Sequence, residues 1–190
     1  ARKLGKRVVY SSDFAGFIGN GHFMRDLLYG FGMADRLQKS LTFSEAVYAV
    51  NKISADYLVR PMGIFQLIDY VGLDVCRSIL KVMKPYFPEE NLHSPLLDDL
   101  ADRGITGGQY NDGSQKNGFF LYEKGRITGV LDRGKLGYIG LQDLQESSDL
   151  LLGTLPVNSP LWKEIIRLPD RKEILAGHFA LLRNSEQTGA

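Results

Sequence analysis

Cysteine is almost missing from this chain: Cys76 is the only one in 190 residues. A lone thiol excludes an intramolecular disulfide and any multi-cysteine zinc cluster. Leu73, Ile79, Leu80 and Met83 surround it at helical spacing, so it reads as a small buried hydrophobe rather than a reactive thiolate. No apolar run reaches the roughly 20 residues of a membrane span. Basic residues in Ala1 to Lys6 are not followed by a signal-peptide core. Together these absences predict a cytoplasmic protein. A charge excess is missing too, with 23 Lys and Arg against 22 Asp and Glu, interspersed and summing to +1. That balance argues against a nucleic-acid partner, which calls for a basic patch or stripe.

Catalytic signatures are equally scarce. The sequence contains no His-Glu-x-x-His, no Gly-x-Ser-x-Gly and no partnered His/Asp/Ser set. His93 precedes a Ser-Pro helix cap and reads as solvated or capping, and His178 falls in an apolar stripe as a core histidine. Gly107, Gly108 and Gly113 follow no strand, and Lys116 lacks the spacing of a phosphate loop. No residue set has metal-ligand spacing.

What is present is helical periodicity. Apolar residues make up 44% and charged residues 24%, which suits one well-buried core, or one domain with a smaller second unit. Ala1 to Leu4 reads as a helix end stopped by Gly5, and Arg7 to Tyr10 as a short β-prone run. A chain that opens in a helix end suggests a piece whose first part lies upstream. Ser11, Ser12 and Asp13 offer caps for a helix beginning near residues 14–16, with Phe17, Met24, Leu28 and Phe31 as its stripe and Ile18 and Leu27 widening it. Gly16, Gly19 and Gly21 within it point to a close backbone approach or to loose packing. Asn20 lies on that apolar side, where an amide must find partners; by spacing it fits a satisfied core amide better than a ligand contact. Thr42 to Glu45 forms a capping box for a helix from about Phe43 to Leu58, on which Val47, Val50, Ser54 and Tyr57 share one face.

Next comes the stretch Arg60 to Asp74. Pro61 suits a helix start, Ile64, Leu67, Ile68 and Val71 share a face, and Gly72 permits a sharp corner into a second helix, Leu73 to Met83. Pro85 and Pro88 end that helix, and Ser94-Pro95 caps another that stops at Gly104. Residues 105–117 read as a loop, followed by a short extended segment, Gly118 to Tyr122. Beyond Asp132, glycines at 134, 137 and 140 break the chain before an amphipathic helix, Leu141 to Leu152. A turn at Pro156 to Asn158, a Ser159-Pro160 cap before Trp162, Ile165 and Ile166, and a last helix from Pro169-Asp170 complete the reading. The expected fold class is all-α, a helical bundle with short extended segments and a helical C-terminal extension.

The identities in Pro61-Met62-Gly63-x-Phe65-x-Leu67-x-Asp69-x-Val71-Gly72-Leu73-Asp74 resemble the signature of the 3-hydroxyacyl-CoA dehydrogenase family's helical C-terminal domain. Asp13 to Asn20 is similar to the segment following that family's nucleotide-binding domain. Ser94 to Gly104 is similar to its penultimate helix, and Lys116 to Tyr122 to its closing Gly-Phe-Tyr segment. The resemblance covers about residues 5–123. Ala15 replaces the usual proline, Gly21 stands where an arginine normally follows the asparagine, and Ile64 replaces the second proline of Pro-Met-Gly-Pro.

The resemblance implies a division into residues 1–12 (linker and end of an absent nucleotide-binding domain), 13–130 (the helical domain) and 131–190 (a helical extension or partial second copy). It implies a parent that oxidises 3-hydroxyacyl-CoA to 3-oxoacyl-CoA, as in fatty-acid β-oxidation. NAD and a His–Glu pair would sit in the absent domain, so no catalytic residue and no NAD site are expected in this chain, which alone should be inactive. The one substrate-binding residue implied here is Asn20, orienting the acyl-CoA, and a homodimer is implied through the helical domain. A related NAD(P)-dependent hydroxy-acid dehydrogenase and a stand-alone helical interaction module are the alternative readings.

Overall fold

Helix starts in this chain are fixed by side chains that reach across elements as well as along them. In the computed structural model, which describes residues 5, 8, 10–58, 60–152, 162–177 and 180, α1 spans Gly19–Leu37 and α2 spans Phe43–Lys52. The predicted capping box at α2 is formed: the Glu45 N–H donates to Thr42 Oγ1 at 3.3 Å and the Thr42 N–H donates to Glu45 Oε2 at 2.8 Å. A π-helical turn, Ile53–Tyr57, extends α2, and Ser54 in it is buried. Helix α3, Ile64–Val71, has Gly63 as N-cap and so no capping side chain of its own. Its first N–H groups are satisfied from α2 and the π turn: Ile64 N–H donates to Ser54 Oγ at 2.8 Å, and Gln66 N–H to Asn51 Oδ1 at 3.0 Å. A Cβ at Gly63 would collide with Asn51, which is why a glycine fits there. Pro61 lies in a bend two residues before the N-cap.

Gly72, at φ 104, makes the corner into α4, Leu73–Met83. A 3₁₀ turn at Lys84–Tyr86 ends α4 at the predicted prolines. Ser94 Oγ accepts from the Leu97 N–H at 3.2 Å to open α5, Pro95–Asp102. The core joins all five helices: Met24, Leu27, Ala46, Val47, Phe65, Ile68, Leu73, Cys76 and Leu100 are fully or almost fully buried. Burying each large apolar side chain contributes about 1.5–3 kcal/mol. Phe65 and Phe119 pack edge to face with centroids 4.7 Å apart, and Phe31 lies 5.6 Å from Phe65.

The all-α expectation is corrected by a three-stranded antiparallel sheet in the order β1-β2-β3, with β1 Phe120–Glu123, β2 Arg126–Asp132 and β3 Gly137–Gly140. The β1–β2 loop is two residues long, Lys124 (φ 49) and Gly125 (φ 74). Positive φ at both positions is the twist-matched hairpin turn. Asp132 Oδ1 accepts from the Gly134 and Lys135 N–H groups at 2.9 and 3.2 Å, shaping the β2–β3 loop. Strand β2 runs through residues 130 and 131 without a break. Helix α6, Leu141–Leu152, follows at its predicted place and packs on α2 and the sheet. Ser44 Oγ donates to the Leu131 carbonyl at 2.8 Å, and Ser147 Oγ to Glu45 Oε1 at 2.7 Å, so the start of α2 is tied to both. Among the described residues further on, α7 is Trp162–Ile165 and residues 171–177 are helical. Ile165 is buried and Ile166 is exposed. The predicted helix end at residues 1–4, the Pro156 to Asn158 turn, the Ser159-Pro160 cap and His178 lie outside the described residues. Val8 and Tyr10 are in no strand.

Candidate functional site: an apolar cleft at the start of α1

The segment before α1 does not continue the helix. Gly16 and Phe17 have φ 87 and 44, values that a right-handed helix excludes, so α1 begins only at Gly19 rather than near residue 14. The predicted stripe shifts accordingly. Met24, Leu27, Phe31 and Ala34 are buried, whereas Phe17 is 62% exposed and Ile18 is 49% exposed. Gly16 meets the close approach that the clustered glycines suggested: Met83 Sδ would lie 2.9 Å from a Cβ there. Nothing comparable lies near Gly19.

Asn20 is exposed, which corrects its expected place on the apolar side of α1. Its side chain makes no hydrogen bond among the described residues. It stands at the rim of a cleft of about 340 Å³ floored by Phe17, Val75, Ile79, Val82 and Met83, with Asp74 and Ser78 as the other polar lining. The arrangement is an apolar trough with a free amide at its edge. An amide there can orient a carbonyl or hydroxyl oxygen while the trough takes an alkyl chain.

The rim is held in place by aromatic and charged contacts. The Phe14 ring meets Tyr86 and Phe87 edge to face at 5.4 and 5.3 Å. The Arg25 guanidinium lies over Phe87 at 4.7 Å, reaches Glu90 through two bonds of 2.8 and 2.6 Å, and donates to the Gly21 carbonyl at 2.9 Å. The Arg25 bond holds the Glu90 carboxyl below its ordinary range. Arg25, one turn after Gly21, thus fills the space beside the residue where the family pattern has an arginine.

Sequence reasoning missed Asp69 as a buried centre. It sits in the middle of α3 with no exposed surface. Its Oδ1 accepts from the Phe119 N–H at 2.7 Å, and its Oδ2 from the Phe120 N–H at 2.9 Å and the Tyr122 hydroxyl at 3.2 Å. Burial pushes the carboxyl up to about 8, against the pull of those three donors. A Cβ on Gly118 would collide with Asp69 Oδ1. Asp69 is therefore a clasp that holds the closing segment on α3, away from the Asn20 cleft. The signal available in the sequence was an aspartate beside Ile68 on the apolar side of a short helix.

The other sequence candidates are bystanders. Cys76 is buried, with its thiol pushed up to about 12 chiefly by that burial. His93 is exposed and its Nε2 lies 2.8 Å from Asp98 Oδ2. Among the described residues no group of three or more His, Cys, Asp or Glu side chains is placed to hold a metal, and no helix is long and apolar enough to cross a membrane.

Comparison with known proteins bears on the helical unit. The profile of the family "3-hydroxyacyl-CoA dehydrogenase, C-terminal domain" matches residues 41–116. The helical unit is similar to that domain. A probable 3-hydroxyacyl-CoA dehydrogenase of Caenorhabditis elegans is 34% identical over 117 residues, 60% of this chain and 36% of that protein. A probable 3-hydroxybutyryl-CoA dehydrogenase of Deinococcus radiodurans is 29% identical, covering 61% and 40%. The crystal structure of M. tuberculosis FadB2 superposes with a TM-score of 0.51 at 32% identity, over 63% of this chain and 39% of that one. This chain therefore spans well under half the length of the dehydrogenases it matches. The family match ends at residue 116, before β1.

The glycine-rich turn between a parallel strand and a helix, by which a Rossmann fold holds a dinucleotide, does not occur among the described strands, which form an antiparallel meander.

Proposed function

We propose that this chain is the substrate-orienting and dimerisation part of an NAD-dependent 3-hydroxyacyl-CoA dehydrogenase, which oxidises 3-hydroxyacyl-CoA to 3-oxoacyl-CoA. The observation that carries the reading is Asn20: a free amide on the rim of an apolar cleft, in a chain whose helices are similar to that family's C-terminal domain. On this reading the Asn20 amide donates to an oxygen of the bound acyl-CoA and holds the reacting carbon in register. The proton and hydride steps, and NAD itself, belong to the nucleotide-binding domain of the parent. The single buried thiol agrees with a reducing compartment such as the cytoplasm, although the human relative is named as mitochondrial.

The test is NADH-dependent reduction of acetoacetyl-CoA. The parent with its nucleotide-binding domain is expected to turn over, and the 190-residue chain alone to be inactive. Turnover by the chain alone would overturn the division of labour, and an inactive parent would overturn the dehydrogenase reading. In the parent, Asn20→Ala is expected to lower kcat/KM by about 10- to 100-fold through misorientation. Because Asn20 is exposed and unbonded, its replacement should leave the unfolding midpoint unchanged. Sedimentation of the purified chain checks the homodimer.

A further inference from the structure

A second cavity, of about 420 Å³, lies on the other side of Ser78 from the Asn20 cleft, between α4 and the start of α5. It shares an apolar floor, here Leu80, Leu92 and Leu97, but differs in carrying cations. Arg77 and Lys81 line it from α4, Lys84 from the 3₁₀ turn that follows, and His93 and Ser94 from the approach to α5. Residues 77, 81 and 84 recur at helical spacings of four and three, which puts the three cations on one face.

Two acidic groups near these cations are already engaged. Arg77 Nη1 donates to Asp102 Oδ1 at 2.7 Å, and Asp98 Oδ2 lies 2.8 Å from His93 Nε2. Asp74, one turn before Ser78, lines the neighbouring cleft rather than this one. Asp98 also lines the cavity; Lys81 and Lys84 make no ion pair among the described residues, so the lining carries two unpaired ammonium groups and one carboxylate. Ser94 is buried, at 6% exposure. Its Oγ is used as the acceptor for the Leu97 N–H, and its hydroxyl hydrogen has no acceptor in the described structure. The cavity thus combines two ammonium groups, two free guanidinium nitrogens and a spare hydroxyl donor in one concave site. Cationic and hydroxyl donors in excess of the single Asp98 carboxylate are what an oxyanion requires.

We propose that this cavity binds a phosphoryl group, with Lys81 and Lys84 as its charge partners and Arg77 and Ser94 as hydrogen-bond donors. The group is either free inorganic phosphate or a phosphate carried by a coenzyme, and the chemistry is the same for both. The proposal rests on the cavity alone and stands whether or not the parent is a dehydrogenase.

The experiment is calorimetric titration of the full 190-residue chain with inorganic phosphate, coenzyme A and dephospho-coenzyme A at low salt. Saturable binding of at least one of them is expected, weakening as salt screens the charges. The double replacement Lys81→Gln/Lys84→Gln removes exposed side chains and is expected to weaken that binding at least tenfold. Lys116→Gln/Lys124→Gln, elsewhere on the surface, should leave it unchanged. Coenzyme A binding more tightly than both inorganic phosphate and its dephospho form would assign the site to the coenzyme's terminal phosphate. Equal affinity for phosphate and coenzyme A would assign it to the free anion. No saturable binding of any probe, or equal losses in the two double variants, would overturn the proposal.

Discussion

Asp69 shows how one buried polar group can set the behaviour of a small core. In the folded chain its carboxyl stays protonated up to about 8, whereas in an unfolded chain an aspartate ionises near 4. Between those values the folded state holds the extra proton, so raising pH removes stability across that window, and the slope vanishes above it. Urea unfolding at several pH values should show the midpoint falling from about pH 4 to 8. Asp69→Asn should remove that slope. It should also cost about 1–3 kcal/mol, because the amide NH₂ faces a backbone N–H and leaves it unpaired. An unchanged slope in the variant would assign the pH dependence to other groups. Ser44 makes a comparable point with a neutral pair. Ser44→Ala strands the buried Leu131 carbonyl and is expected to cost about 1–3 kcal/mol in the same assay. Neither role was legible in the sequence, since the partners lie 50 and 87 residues away.

At the scale of elements, the helices and the extended segment that becomes β1 were readable, and the rest of the sheet was not. The capping box at Thr42, the Gly72 corner and the Ser94-Pro95 cap are local chemistry, and each stands where the residues placed it. The hairpin was missed because Lys124-Gly125 is a weaker turn signal than Asn-Gly and because glycines at 129, 134, 137 and 140 dilute the strands around it. The strands form because Val130 and Leu131 find buried places against the helices, a tertiary gain that overrides weak β propensity. Lys124 sits at φ 49, a conformation asparagine tolerates better than lysine. Lys124→Asn should therefore raise the unfolding free energy by roughly 0.5 kcal/mol, and a loss of stability would show that the turn is not formed as described. At the start of α1 the reverse occurred: good capping residues at 11–13 went unused, because Gly16 and Phe17 turn the chain before a helix can begin.

At the scale of the molecule, the helices and the sheet share one core. Phe119 and Phe120 are buried at 0% and 1% exposure, and Phe119 packs on Phe65 from the centre of the family signature. A chain truncated after residue 116, where the family match ends, would lose both rings and all three donors to the Asp69 carboxyl. It is expected to give no cooperative thermal transition by circular dichroism, whereas the full chain gives one. A sharp transition in the truncated chain would show that the helices alone suffice. The sequence by itself determined the helical segments, the inert cysteine and the family likeness, because caps, periodicity and motif identities are local in the chain. Only the tertiary structure decided that Asn20 faces a cleft instead of the core, that Asp69 is a clasp, and that residues beyond 117 form a sheet. Each of those outcomes depends on burial and on partners far away in sequence, which no local pattern encodes.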